Sequence, residues 1–399
     1  MEALITKESS PFTPGQPVPK EFFEGREEEL KYVLQMLKAT GSKKTGNIFV
    51  IGERGIGKSS FANIIKAYAE EKENFLTAYV SLGGISELEL MAEKIFSRIV
   101  QENQDRPFFS RLKELFKEHI RGVGIFNLTV QLEFSEKERR NLVRDFLPLL
   151  GRIYKEIAKE KRGFLIVLDD VNGLSKNPKF ANYLKSIIDE NSISRSPIPL
   201  FLIICLLPER KEEMISSQES IARIFYPITL KQMSINEVIN FYKRILNSVN
   251  HKWEEKALQL MAKFSGGLPM LMQEIGETTY YEDQDFKITE DDARKGVIKA
   301  AEIVGEKYLQ SKIYQAIQSE RYHSILKKLA RQVPYEFSRQ KFISQLNGEE
   351  KKVFDNFIRR MKSLGVIEEG EKRGEYKFAN LLYPLYIYLQ AQIRSSKRS

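Results

Sequence analysis

Apolar runs alternate with helical patterns through the first 230 residues. The apolar runs are 47–51 (NIFVI), 76–82 (LTAYVSL), 163–170 (GFLIVLDD), 199–207 (PLFLIICLL) and 224–230 (IFYPITL). Between them, segments such as REEELKYVLQMLKA place leucine and valine at every third or fourth position, which is the spacing of a helix. Runs that are apolar throughout are typical of parallel strands covered on both faces. The pattern predicts an α/β three-layer domain.

One segment breaks this alternation of strands and helices. In GIFNLTVQLEF (124–134), apolar residues occupy every second position and polar residues lie between them. Such a pattern is typical of a half-exposed strand. We expect an inserted β-hairpin around residues 122–135.

From about residue 234 the pattern becomes wholly helical. It is interrupted in KFSGGLPMLMQEIG (263–276), where two glycines and Pro269 predict a helix end, a tight turn and a new helix start. An ordinary corner between two helices would have the same signature. Further along, Thr289 is followed by three acidic residues, which predicts the start of another helix.

Residues 322–395 predict a winged helix. The first helix is YHSILKKLARQ, followed by FSRQKFISQL, a turn at NG and a third helix EEKKVFDNFIRRMKSL. Gly365 ends the third helix, VIEEGEKRGEYKF has the pattern of a two-stranded wing, and LLYPLYIYLQAQ closes the domain.

Composition and charge narrow the class of protein. A single cysteine, Cys205, and three scattered histidines cannot build a disulfide framework or a Cys/His metal site. Neither a signal-peptide pattern nor a long apolar run is present, so we expect a cytoplasmic protein without a membrane partner.

Of the net charge of +9, residues 301–399 carry +8, with 19 Lys and Arg against 11 Asp and Glu. An anionic polymer would therefore meet the protein there, although a basic solvated surface is the alternative.

A phosphate-binding loop follows the first apolar run. GERGIGKS fits the pattern G-x-x-x-x-G-K-[ST] between a strand and a helix, so backbone N–H groups can surround phosphate oxygens. Lys58 would reach the β- and γ-phosphates, and Ser59 would ligate Mg²⁺. The expected phosphate contacts are Gly52, Gly55, Ile56, Gly57, Lys58, Ser59 and Ser60.

Two acids and two arginines complete the predicted chemistry. Asp169, at the end of a strand, would hold Mg²⁺ through water, and Asp170 could orient or deprotonate the attacking water. Arg210 follows the next strand, which should lie beside both the loop and the acids. Arg223 is a second arginine that could contact phosphate from this subunit or a neighbour. For each arginine, a surface salt bridge is the alternative.

With FFEGREEEL before the loop, the LIVLDD strand, a helical lid and GGLP, the chain resembles the STAND branch of AAA+-related ATPases. Its layout also resembles archaeal ATPases and the Orc1/Cdc6 initiators. The resemblance spans residues 17–395 and implies an AAA+-type P-loop core, a helical lid and a C-terminal winged helix. The implied domains are a lead-in, the ATPase core, the lid and the winged helix, at 1–20, 21–232, 233–318 and 319–399.

The resemblance also implies site residues. The segment around GRE would pack by the adenine, through Val18, Phe23 and Arg26. Gly267, Leu268 and Pro269 would place a lid helix against the nucleotide, so that the lid could report whether ADP or ATP is bound. Two features differ from the group. The chain has no long repeat array, which disfavours a ligand-sensing role, and DD replaces DE, which disfavours a true initiator.

The third helix of the winged helix carries a basic face opposite its apolar stripe. A helix in this position can enter the major groove of DNA, with arginine and asparagine reading bases and lysine neutralising phosphates. A protein-binding winged helix with a solvated face is the alternative. The candidate DNA contacts are Lys351, Lys352, Asn356, Arg359, Arg360 and Lys362 on the helix, and Lys372 and Arg373 in the wing.

The sequence therefore predicts a switch that binds ATP or ADP with Mg²⁺, hydrolyses ATP slowly and acts on double-stranded DNA. The alternative is a signalling or defence ATPase whose winged helix makes protein or intramolecular contacts, with a protein partner or self-association in the ATP state. A third possibility is an ATP-dependent chaperone or remodeller, which would form stable hexamers.

Overall fold

The structure is a computed structural model that describes residues 9–42, 46–119, 134–315, 317, 319–331 and 336–396. The predicted hairpin around 122–135 lies outside the described residues except for its last two positions. The chain divides into two compact units. We call Pro19–Lys231 the core unit, and Met1–Val18 together with Gln232–Ser399 the helical unit.

A parallel sheet of five strands forms the centre of the core unit, in the order β2-β3-β4-β1-β5. All five predicted strands are present. Their bounds are β1 Gly46–Ile51, β2 Leu76–Ser81, β3 Phe164–Asp169, β4 Leu200–Leu206 and β5 Tyr226–Thr229. The predicted α/β core is confirmed.

Helices and two short 3₁₀ turns precede and connect these strands. The helices are α1 Glu27–Thr40, α2 Lys58–Glu71, α3 Leu88–Gln101, α4 Phe109–His119, α5 Glu136–Arg144, α6 Phe146–Ile157, α7 Pro178–Ile193, α8 Pro208–Ser217 and α9 Ile221–Ile224. The 3₁₀ turns are Lys20–Phe22 and Leu174–Lys176.

The burial of the strands explains their sequence pattern. Strands β1, β3 and β4 are buried along their whole length, because helices cover both faces of the inner sheet. Strand β5 differs from the prediction, since only Ile228 is buried there. It lies at the end of the strand order, and among the described residues it pairs with β1 alone. The carboxyl ends of the inner strands meet at one edge of the sheet and place their following loops together.

The first part of the helical unit contains α10 Ile235–Ser248, α11 Glu255–Ser265, α12 Pro269–Glu282 and α13 Glu290–Val304, continued by a π-helical segment Gly305–Gln315. Two short strands, β6 Lys252–Trp253 and β7 Lys287–Ile288, pair in parallel. Thr289 caps α13 as predicted, because its side chain accepts a hydrogen bond from the backbone N–H of Asp292.

The GGLP break is a corner between α11 and α12. Gly266 ends α11 in the left-handed region, at φ 57°, and α12 begins at Pro269. Gly267 has φ 71°, and a Cβ atom at this position would lie 2.0 Å from the carbonyl oxygen of Met233. The predicted helix end, turn and helix start are confirmed, and the close approach of the 233 backbone explains the second glycine.

The N-terminal segment belongs to the helical unit. Phe12 is buried beside Phe241 and Tyr242, with ring centroids 6.4 and 6.1 Å away. The backbone N–H of Thr13 donates to Gln273 Oε1 over 2.8 Å. The predicted lead-in is therefore anchored to α10 and α12.

We call residues 319–396 the C-terminal module. Its elements are α14 Glu320–Ala330, β8 Glu336–Ser338, α15 Arg339–Ile343, α16 Gly348–Ser363, β9 Ile367–Glu369, β10 Glu375–Phe378 and α17 Leu382–Ser396. Strand β10 pairs antiparallel with both β8 and β9, so the predicted two-stranded wing belongs to a three-stranded sheet. The predicted second helix is shorter than expected, because residues 336–338 form β8.

Among the described residues, no helix is both long and apolar enough to cross a membrane.

Candidate nucleotide-binding site

The loop between β1 and α2 has the local geometry of a phosphate cradle. A turn closes where the N–H of Ile56 donates to the carbonyl of Glu53 over 3.3 Å. Gly57 precedes α2 with φ 93°, a conformation that residues with a Cβ atom rarely adopt. Helix α2 then begins at Lys58, and the first N–H groups of a helix lack partners within it. This end of α2 is suited to binding an anion.

The side chain of Lys58 folds back over the phosphate loop that precedes it in the chain. Its Nζ donates hydrogen bonds to the carbonyl oxygens of Gly52 and Glu53, over 2.7 and 2.9 Å. Burial lowers the pKa of the Lys58 ammonium, although nearby charges, Asp169 among them, oppose the shift. A phosphate group, with full negative charge, would attract this ammonium more strongly than carbonyl dipoles do.

Ser59 and Asp169 meet as the sequence predicts. The hydroxyl of Ser59 donates to Asp169 Oδ2 over 2.7 Å, and the backbone N–H of Asp170 donates to Oδ1 over 2.9 Å. Asp169 is 9% exposed. Because the Ser59 proton points to the carboxylate, the lone pairs of its oxygen remain available to a cation.

The donor set fits Mg²⁺. A hydroxyl and a carboxylate are the hard oxygen ligands that Mg²⁺ prefers, usually completed by water and substrate phosphates. In the described part of the chain, no group of three or more His, Cys, Asp or Glu side chains could hold a metal ion. Phosphate oxygens and water would therefore have to supply the remaining ligands.

Arg26 connects the GRE segment to the phosphate loop. It is 9% exposed, and its Nη2 donates to the carbonyl oxygens of Ile56, over 3.1 Å, and Lys231, over 2.6 Å. The ring of Phe23 lies 6.4 Å from that of Phe61 on α2. The structure therefore places the predicted adenine-side residues Phe23 and Arg26 against the loop and helix of the candidate phosphate site.

The comparisons with known proteins agree with this geometry. Residues 23–195 match the AAA ATPase domain family. The core unit contains an AAA ATPase domain. No curated protein sequence matches the chain.

Solved structures extend the likeness of fold beyond the ATPase domain. The Walker-type ATPase PABY2304 of Pyrococcus abyssi is 18% identical, with a TM-score of 0.54, covering 92% of this chain and 96% of that one. The ORC2 protein of Aeropyrum pernix, in ADPNP-ADP complexes, is 14% identical, with a TM-score of 0.57, covering 95% and 98%. At these identities the likeness shows a shared fold, and it confirms the predicted fold class.

Three further predicted residues of the core unit have side-chain partners outside the loop. Asp170 is exposed in the left-handed region, at φ 55°, and its carboxylate accepts a hydrogen bond from the Asn172 amide. Arg210, in the first turn of α8, pairs with Glu213 over 2.5 Å. Arg223, in α9, is exposed and donates to Ser220 Oγ over 3.2 Å. Contacts of these residues with a nucleotide or its attacking water stay predictions.

The remaining predicted nucleotide contacts are Ser60, on α2 of the ATPase domain, and Val18, Gly267, Leu268 and Pro269, which belong to the helical unit. Their contacts with a nucleotide also stay predictions.

Two residues of the ATPase domain were missed by the sequence reasoning. The hydroxyl of Tyr79, on β2, donates to Asp169 Oδ2 over 2.5 Å. Burial, followed by the Asp169 charge, raises the pKa of Tyr79, so it stays a neutral phenol. Cys205 is fully buried near the end of β4, and burial, followed by the charge of Asp169, raises the pKa of its thiol. The polar hydroxyl near the end of an apolar strand was the available signal for Tyr79.

The C-terminal module presents the predicted basic face of α16 to solvent. The apolar stripe of the helix is buried at Phe354, Phe357, Ile358 and Met361. All eight candidate DNA contacts, Lys351, Lys352, Asn356, Arg359, Arg360, Lys362, Lys372 and Arg373, are exposed. Acidic neighbours pair with part of this face, since Lys352 contacts Glu349 and Lys362 contacts Glu369.

Proposed function

We propose that the chain binds ATP and hydrolyses it slowly, as a nucleotide-dependent switch of the STAND/AAA+ type. The observation that carries the proposal is the 2.7 Å hydrogen bond from Ser59 to Asp169. This bond joins Ser59, which follows the loop lysine, to the carboxylate of Asp169 at the end of β3. The two residues are 110 positions apart in the sequence. This is the pairing that a Mg²⁺-nucleotide site requires.

Each residue has a distinct role in the proposed reaction. Lys58 and the N–H groups at the start of α2 bind and neutralise the phosphates. Ser59 and Asp169 would hold Mg²⁺, which supplies charge neutralisation on the phosphates when bound. Asp170 orients the attacking water or accepts its proton. We expect slow turnover in isolation, because no arginine is assured at the transferred phosphate until a partner supplies one.

Movement of the lid would also move the C-terminal module. Within the helical unit, α17 packs against α13 of the predicted lid and α14 of the module. The ring of Tyr386 lies against Gly305, and its hydroxyl contacts Gln310 Oε1 over 3.0 Å. The proposal that Gly267, Leu268 and Pro269 make the lid respond to the nucleotide rests on the family resemblance.

Double-stranded DNA is the proposed partner of the C-terminal module. We interpret the module as a winged helix whose third helix is α16. Its exposed arginines and lysines suit phosphate contacts, and Asn356 and Arg359 are residue types that read bases. The concentration of the net charge of the chain in residues 301–399 supports this partner.

A signalling or defence ATPase is the second candidate. The ion pairs on and beside α16, including Arg339 with Asp355 over 2.9 Å, favour it because they offset part of the positive charge. In that case the module would contact a protein partner, or the chain would self-associate in the ATP state.

ATP binding and turnover of the purified chain, with and without duplex DNA, test the ATPase proposal. Lys58→Ala should weaken ATP binding at least about tenfold and abolish turnover, because it removes the cation that meets the phosphates. Lys72→Ala is the matched control, since Lys72 lies exposed at the other end of α2. If Lys58→Ala retains both activities, the proposal is wrong.

A further inference from the structure

Two hydroxyl groups from different elements meet on one oxygen of Asp169. Ser59, on α2, donates to Oδ2 over 2.7 Å, and Tyr79, on β2, donates to the same atom over 2.5 Å. The proposed Mg²⁺ site accounts for Ser59. It does not account for Tyr79.

The position of Tyr79 in the sheet does not require a hydroxyl. Strand β2 pairs with β3, and Tyr79 stands opposite Val167, two residues before Asp169. A phenylalanine at this half-buried position would avoid the cost of taking a hydroxyl out of water. The contact with Asp169 compensates for that cost.

The two hydroxyl groups restrict the orientation of the carboxylate. An ionised carboxylate oxygen has two lone pairs, and Ser59 and Tyr79 occupy both on Oδ2. The other oxygen accepts the backbone N–H of Asp170 over 2.9 Å. Rotation of the Asp169 side chain would therefore break at least one of three hydrogen bonds.

We propose that Tyr79 is a positioning residue for the divalent cation, which holds the Asp169 carboxylate in the orientation that the Mg²⁺-nucleotide complex needs. This inference rests on the proposed nucleotide site and deepens it. Ligand carboxylates are commonly oriented by such hydrogen bonds, and losing the partner typically costs about 10- to 100-fold in metal affinity or activity.

Fluorescent ADP (mant-ADP) binding to the full chain tests the inference without relying on turnover. Affinity is measured first in EDTA and then across a Mg²⁺ titration, for wild type and Tyr79→Phe. We expect Tyr79→Phe to raise the Mg²⁺ concentration for half-maximal effect about tenfold. The affinity in EDTA should change less than about twofold, because Lys58 and the loop are intact.

Tyr183→Phe is the matched control. Tyr183 lies in the same unit, is also partly buried, and its hydroxyl donates to the carbonyl of Val143 over 2.8 Å. The control should follow the wild-type Mg²⁺ curve. If Tyr79→Phe also follows it, or loses affinity equally in EDTA, the positioning role is overturned. A wild-type chain that binds no mant-ADP would instead overturn the proposed function and the inference with it.

Discussion

The guanidinium of Arg26 donates a hydrogen bond to the carbonyl oxygen of Ile56 over 3.1 Å, and so fastens the GRE segment to the phosphate loop. The same nitrogen contacts the Lys231 carbonyl over 2.6 Å, at the end of the core unit. One buried side chain thus ties together three stretches of the core unit that are distant in sequence. The shape of the loop depends on this residue as well as on its own glycines.

Arg26→Met should loosen the loop. It removes both hydrogen bonds while keeping much of the apolar stem, and bonds from a charged donor contribute about 1.5–3 kcal/mol each at most. We expect the free energy of unfolding to fall by about 2 kcal/mol and nucleotide affinity to fall about tenfold. Chemical denaturation and mant-ADP titration measure the two effects. Arg140→Met, at an exposed site of the same unit, should stay within about 0.5 kcal/mol of wild type. Equal effects of the two variants would contradict the role of Arg26.

The two glycines of GGLP should differ in their tolerance of alanine. Both have positive φ, which costs alanine about 1–2 kcal/mol. At Gly266 the added Cβ meets nothing within 4 Å, whereas at Gly267 it would overlap the Met233 carbonyl oxygen. Gly267→Ala should therefore destabilise the helical unit by about 3 kcal/mol, and Gly266→Ala by about 1 kcal/mol.

The fluorescence of Trp253 can be used to measure the stability of the two glycine variants. It is the single tryptophan of the chain and lies in β6 of the helical unit, so its fluorescence follows the unfolding of that unit. Similar unfolding midpoints for the two variants would show that the backbone at residue 233 moves aside without loss of stability.

Glu350 should make the C-terminal module sensitive to acid. Its carboxylate is 2% exposed and accepts hydrogen bonds from Lys328 Nζ (2.6 Å), Ser324 Oγ (2.8 Å) and the Asn347 N–H (2.9 Å). Burial alone would raise the pKa of Glu350, but these partners hold it below the ordinary value of 4.5. The stabilisation is therefore present above about pH 4.5 and is lost as the pH falls through the lowered pKa.

Glu350→Gln should lower the free energy of unfolding of the module by about 2 kcal/mol at pH 7, because Lys328 loses its buried anion. The difference from wild type should shrink at acid pH, where wild-type Glu350 becomes protonated. Calorimetry at several pH values measures this trend. Glu371→Gln, at an exposed position in the wing, serves as the control and should change the free energy of unfolding by less than about 0.5 kcal/mol. A difference that is independent of pH would refute the explanation.

Charge reversal on α16 should reduce both DNA affinity and its salt dependence. If Arg359 and Arg360 neutralise phosphates, Arg359→Glu/Arg360→Glu should lower the slope of log affinity against log salt by about two. Fluorescence anisotropy with a labelled duplex measures the slope. Lys252→Glu/Lys256→Glu makes the same change of net charge at exposed sites outside the module. Equal losses in the two variants would favour the protein-binding alternative.

Local sequence determined the candidate chemistry of the ATPase domain. The phosphate loop and the strand-end acids Asp169 and Asp170 are contiguous patterns, and parallel strands bring their carboxyl ends to one edge whatever the details of packing. Pattern also determined the caps at Thr289 and the GGLP corner, because turns and helix starts depend on a few neighbouring residues.

Only the tertiary structure decided which distant side chains share this site. Tyr79 reaches Asp169 because β2 lies beside β3 in one register, and Arg26 reaches the loop because its segment folds back on α2. The strand order likewise decided that β5 is an edge strand, and packing decided that Phe12 anchors the N-terminal segment among the helices. Such contacts depend on strand register and on the packing of distant elements. The local pattern of hydrophobic and polar residues specifies neither.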